Sequence, residues 1–121
     1  MKTTSCALAL LGSLLSAGSA FAHAHLKTSN PADGTTITAM PSALSLSFSE
    51  GLELKLSGAT LKGSDGKQVA TGATSLGPND DKRMSIPVPG PLSAGTYTVD
   101  WHAFSNDGHT THGSYQFTVA R

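Results

Sequence analysis

The chain is 121 residues long, and its eight basic side chains balance its eight acidic ones. No basic stripe is available to track a phosphate backbone, which sets nucleic acid aside as a partner. Charged residues are sparse while Gly, Ser, Thr and Pro are plentiful, a balance that suits short strands joined by turns.

The first 22 residues read as a cleavable secretory signal. Lys2 supplies a basic start, Ala7 to Leu15 an apolar run, and Ala20-Phe21-Ala22 a small-residue cleavage site. The apolar run is well short of the ~20 residues that span a bilayer, so no membrane insertion of the mature chain is expected. Cys6, the single cysteine, precedes the run and would leave with it. The mature domain, 23–121, is then about 100 residues with neither thiol nor disulfide, and its core alone must hold it together. Ala22-His23-Ala24 is a competing cleavage triplet.

Period-two alternation recurs through the mature segment. Leu44, Leu46 and Phe48 alternate with serines, and Leu52, Leu54 and Leu56 alternate with Glu53 and Lys55; each run predicts a strand with one buried face. Ala59–Lys62 and Gln68–Thr71 flank Ser64-Asp65-Gly66-Lys67, a hairpin turn. Met84, Ile86 and Val88 alternate around Pro87, which predicts an edge strand or a bulge. Tyr97, Val99 and Trp101 share a face, as do Tyr115, Phe117 and Val119. Turn residues cluster at Asn30–Gly34, Gly77–Asp80 and Pro89–Pro91. About seven short strands and no helical period predict an antiparallel sandwich or small Greek-key barrel.

The chemistry-bearing residues lie at the two ends of this domain. Cleavage after Ala22 would start the chain His23-Ala24-His25, so that the α-amine and Nδ1 of His23 could chelate one metal ion. Asp107-Gly108-His109 sits between the last two strong strands. Residues two apart in extended chain project to the same side, so Asp107 and His109 could aim at a common centre. Asp-Gly is also an ordinary turn dipeptide. The amine, the imidazoles and one carboxylate together form an N/O donor set that suits Cu(II). A purely local alternative exists, in which the amine, two deprotonated backbone amides and His25 wrap the ion without the distant loop. His102 reads as a surface residue and Glu50 as solvated; His112, close to the loop, is open between a surface residue and an outer ligand or a group supporting one. Beyond Met1 the only methionines are Met40 and Met84, so no thioether-rich loop for Cu(I) is present. No phosphate loop, Cys pair or nucleophile elbow is found.

The ordered set His23-Ala24-His25-Leu26, Pro31–Gly34, Phe48-Ser49-Glu50, Pro91–Trp101, Ser105–His109, Gly113 and Phe117–Val119 resembles the CopC-type periplasmic copper-resistance proteins over essentially the whole mature chain. The resemblance implies an all-β, seven-stranded Greek-key barrel or sandwich of cupredoxin- or immunoglobulin-like shape. It further implies one Cu(II) per chain, held by the amine and imidazole of His23 with His25, Asp107 and His109. A periplasmic, non-enzymatic, monomeric role in copper sequestration or delivery follows, with an inner-membrane transporter of the CopD type as partner. Some members carry a Cu(I) site in a Met-rich loop; the corresponding stretch here, 63–73, has no methionine. Two other readings of an N-terminal histidine on a β-sandwich stand beside this one. They are a copper-dependent polysaccharide monooxygenase and a metal-free immunoglobulin-like interaction module.

Overall fold

The computed structural model describes residues 24–120, so the segment read as a signal, Cys6 and His23 lie outside the described residues. The alternation read from the sequence becomes two sheets packed face to face. One is ordered β1-β3-β7-β6, from β1 (Leu26–Asn30), β3 (Ala43–Phe48), β7 (Asp80–Pro87) and β6 (Ser75–Gly77). The other is ordered β2-β9-β8-β4-β5, from β2 (Thr36–Ile37), β9 (Thr110–Val119), β8 (Gly95–Phe104), β4 (Gly58–Lys62) and β5 (Gln68–Val69). All pairings are antiparallel except β2 with β9. This is the all-β sandwich expected, with nine strands among the described residues because β2 and β5 are only two residues long.

Every second residue of the long strands points between the sheets. Leu44, Leu46, Phe48, Met84 and Ile86 from one sheet meet Leu61, Tyr97, Val99, Ala103, Tyr115, Phe117 and Val119 from the other, all at most 5% exposed. The Phe48 ring meets Trp101 edge-on at 5.2 Å between centroids, and Tyr97 stacks on Phe117 at 5.7 Å. The Tyr97 hydroxyl donates to the Ser93 carbonyl four residues upstream at 2.7 Å, a tyrosine corner that fixes the entry into β8.

Two local expectations are corrected. Leu52–Leu56 is not a strand: Leu52 makes an isolated bridge to Ser105, and Leu54–Leu56 is a 3-10 turn with Leu54 and Leu56 exposed. The segment carries the chain from one sheet to the other. The Leu52 amide bonds to Asp81 at 2.8 Å and the Glu53 amide to Phe104 at 2.8 Å, after which the 3-10 bonds close. No continuous neighbouring strand is available there to sustain a ladder. β7 is not an edge strand, since it lies between β3 and β6, but β6 pairs no further than Ser85, so Pro87 itself has a strand on the β3 side alone. Proline is accommodated as the last residue of the strand, where its carbonyl accepts from Gly72 at 2.8 Å.

Candidate metal centre

β8 and β9 are the longest strands, and the loop joining them carries Asp107 and His109. Ser105, fully buried at its base, organises it. The Ser105 amide bonds to the His109 carbonyl at 2.9 Å, and the Gly108 amide to the Ser105 carbonyl at 2.9 Å. Gly108 takes φ +93°, a conformation that L side chains rarely adopt, so glycine is required at the turn. The Ser105 hydroxyl donates to the Asp107 carboxylate and accepts from the His109 amide at 3.4 Å.

The consequence is a preset carboxylate–imidazole pair. His109 Nδ1 stands 3.2 Å from Asp107 Oδ1, with both side chains about half exposed. The Ser105 hydroxyl, and after it the His109 ring, hold the Asp107 carboxyl below its ordinary range. At neutral pH the pair therefore offers an anionic oxygen beside an imidazole. Donors 3.2 Å apart also match neighbouring positions around a metal with bonds of about 2.0–2.2 Å.

Three residues that sequence reasoning passed over hold this loop against the rest of the sandwich. The Asn106 amide bonds to the Gly51 carbonyl at 2.9 Å, and Asn106 Nδ2 donates to Asp81 Oδ2 at 3.0 Å. A Cβ on Gly51 would lie 2.5 Å from Asn106 Nδ2 and 2.6 Å from Asp81 Oδ2. Asn106 beside the Asp-x-His motif was the only sequence signal, and its partners come from the loop after β3 and from the start of β7.

The N-terminal end of the described chain is drawn to the same end of the sandwich. Ala24 is fully buried, and its carbonyl accepts from the Thr111 hydroxyl at 2.8 Å. His25 is exposed; its amide donates to Ser49 Oγ at 2.8 Å and its carbonyl accepts from the Ser49 amide at 2.9 Å. Asp107 and His109 thus come together as expected. His25 does not complete a three-donor group with them: among the described residues no set of three His, Cys, Asp or Glu side chains converges as a metal cage. His102 and His112 are cross-strand partners in the β8–β9 register, with the His102 ring over Gly58 of β4.

The methionines give no second centre. Met84 is fully buried in β7 and Met40 is half-buried in the loop before β3. No helix among the described residues is long and apolar enough to cross a membrane.

Known proteins agree with this architecture. A family model described as the CopC domain matches residues 26–120. Protein YobA of Escherichia coli strain K12 is 43% identical over 113 residues, covering 93% of this chain and 91% of YobA. Copper resistance protein C of Pseudomonas syringae pv. tomato is 41% identical over 123 residues, covering 98% and 96% of the two chains. The crystal structure of PcoC, a methionine-rich copper resistance protein from Escherichia coli, superposes with a TM-score of 0.72 at 42% identity, covering 82% of this chain and 100% of that one. With the family model spanning both sheets and the connecting loop, the chain belongs to the CopC family of copper-resistance proteins.

Proposed function

We propose that the chain is exported to the periplasm, cut after Ala22, and there binds one Cu(II), which it sequesters or hands on. The ligands are the α-amine and imidazole of His23, the imidazole of His25, and the Asp107 and His109 side chains. The observation that carries the reading is the Asp107–His109 pair, preset by Ser105 before any metal arrives. A prepared pair reduces the ordering cost of binding.

The Thr111–Ala24 bond supports a contribution from the chain terminus. Thr111 lies two residues beyond His109, about 7 Å along a strand, and Ala24 is the covalent neighbour of His23. The same region weighs against the purely local wrap. That mode needs the His25 amide deprotonated and on the metal, whereas here it donates to Ser49 at 2.8 Å. The N/O donor set and the lack of a methionine cluster favour Cu(II) over Cu(I). Membership of a copper-resistance family favours binding over catalysis. The resemblance to CopC-type proteins makes an inner-membrane transporter of the CopD type the partner of choice.

The test is competitive Cu(II) titration of the exported protein, its N-terminus first defined by mass spectrometry. His23→Ala, Asp107→Ala and His109→Ala should each weaken binding by at least about tenfold. A mature mass beginning at Ala24, or affinities unchanged in Asp107→Ala and His109→Ala, would overturn the ligand set.

A further inference from the structure

The outer face of the five-stranded sheet ends in two histidines set directly opposite one another. His102 on β8 pairs with His112 on β9 in an unbroken antiparallel register running from Gly95↔Val119 to Phe104↔Thr110. In such a ladder, hydrogen-bonded and non-hydrogen-bonded pairs alternate, and side chains approach more closely in the second kind. Further along β9, the backbones of Gln116 and Thr118 bond away from β8. The Gln116 carbonyl accepts from Gly34 at 2.7 Å and the Thr118 amide donates to Thr35 at 2.9 Å. Stepping back by twos from Thr118, His112 falls in the same row. His102↔His112 is therefore a close, non-hydrogen-bonded pair.

Its neighbours show that side chains in this row reach each other. Thr96 Oγ1 lies 3.2 Å from Thr118 Oγ1, and Gln116 Nε2 donates to Thr98 Oγ1 at 3.2 Å. Further along the row, Asp100 is held by Lys62 at 3.5 Å. Both histidines are exposed, and among the described residues neither imidazole has a hydrogen-bond or ion-pair partner. The His102 ring leans over Gly58 on the neighbouring strand, its Cε1 3.3 Å from where a Cβ would stand. A staggered rotation about χ1 moves such a ring from one neighbouring strand toward the other.

We infer that His102 and His112 form a second, bidentate site for a borderline divalent transition ion, Cu(II) or Zn(II), completed by water. Cβ atoms directly opposite in a sheet are about 4.5–5.5 Å apart, a span from which two imidazoles can converge on one ion, and imidazole suits these metals. Two neutral nitrogens bind more weakly than a set that includes a carboxylate and an amine, so this site fills second. His112 lies three residues beyond His109, about 10 Å along the strand, which puts an auxiliary copper-docking point beside the loop of the primary site. The inference does not depend on the ligands proposed for that primary site.

The test uses the mature protein and His109→Ala, each titrated with Cu(II) and with Zn(II) against glycine as a weak competitor. The parent should take up a second, weaker equivalent, and His109→Ala should retain it. His102→Gln or His112→Gln should weaken that equivalent by about tenfold or more, because losing either donor abolishes chelation, and should leave the first unchanged. Cu(II) should broaden the ring proton signals of both histidines together in the folded parent. A parent that binds only one equivalent, or a second equivalent that survives both substitutions, would overturn the site. Broadening of one ring without the other would also overturn it.

Discussion

The Thr111 hydroxyl donates to the carbonyl of Ala24, 87 residues away, at 2.8 Å. The bond ties the first described residue to the beginning of β9, beside the loop that carries Asp107 and His109. Thr111→Val removes the donor while keeping the shape, and leaves a carbonyl of a fully buried residue unpaired. The expected cost is about 1–3 kcal/mol, read as a lowered midpoint in urea. On the proposed function, Cu(II) should also dissociate faster into excess chelator while the spin-resonance spectrum keeps its ligand signature.

Ser105 should be felt through Asp107. Its hydroxyl is the largest influence holding that carboxyl low, followed by the His109 ring. In metal-free protein, Ser105→Ala should move the Asp107 titration, followed by carboxyl NMR, back toward the ordinary 3.8. The sign follows from the lowered value. The folded state gains from ionised Asp107 at every pH above the ordinary value, and that gain disappears as pH falls through the folded value. Any loss from this group is therefore confined to pH below about 4. Copper affinity should also fall on acidification, because protons compete with the metal for the imidazole nitrogens.

What was legible in the sequence was whatever period two and local spacing encode. The strands around Leu44–Phe48, Tyr97–Trp101 and Tyr115–Val119 were visible because each buries one face. Asp107 and His109 were singled out by a two-residue offset that presumes extended chain; the structure brings them together instead through a turn, with Gly108 at φ +93° and the Ser105 hydroxyl on Asp107. Leu52–Leu56 misled because its alternation is accidental: only Leu52 is buried, while Leu54 and Leu56 face solvent from a 3-10 turn. β1 gave no signal because its burial does not alternate and its pairing with β3 is broken by a bulge. The supports of the candidate site were equally silent. Asn106 with Asp81, and Ala24 with Thr111, are separated by 25 and 87 residues, and only register brings them together.

Two buried tyrosines should respond oppositely to loss of their hydroxyls. Tyr97→Phe removes the 2.7 Å bond to Ser93 and should cost roughly 1–2 kcal/mol. The Tyr115 hydroxyl is buried and makes no hydrogen bond of normal geometry, although the Ser29 hydroxyl is near enough to relieve part of its penalty. Tyr115→Phe should therefore be neutral or stabilising by up to about 1 kcal/mol. Burial also raises the Tyr115 pKa above 10.0. Below that ordinary value the group carries no ionisation cost, and stability falls as pH rises from there through the folded value. Urea denaturation at pH 7 and above pH 10 should show the parent losing stability in alkali more steeply than Tyr115→Phe.

Gly113 is required by the single tryptophan. It pairs with Trp101 across β8 and β9, and a Cβ there would lie 2.7 Å from the indole Cζ2 and 3.0 Å from Cε2. Those are ring atoms rather than the tip of a flexible chain, and Phe48 packs against the same indole at 5.2 Å. Relief needs the whole ring to shift, which disturbs the Phe48 contact as well. Gly113→Ala should destabilise by about 1–3 kcal/mol, the usual cost of overpacking, although alanine suits a strand better than glycine does. Trp101 is the only tryptophan, so its fluorescence reports the displacement directly. An unshifted emission maximum together with unchanged stability would mean that the indole does not rest on Gly113 in solution.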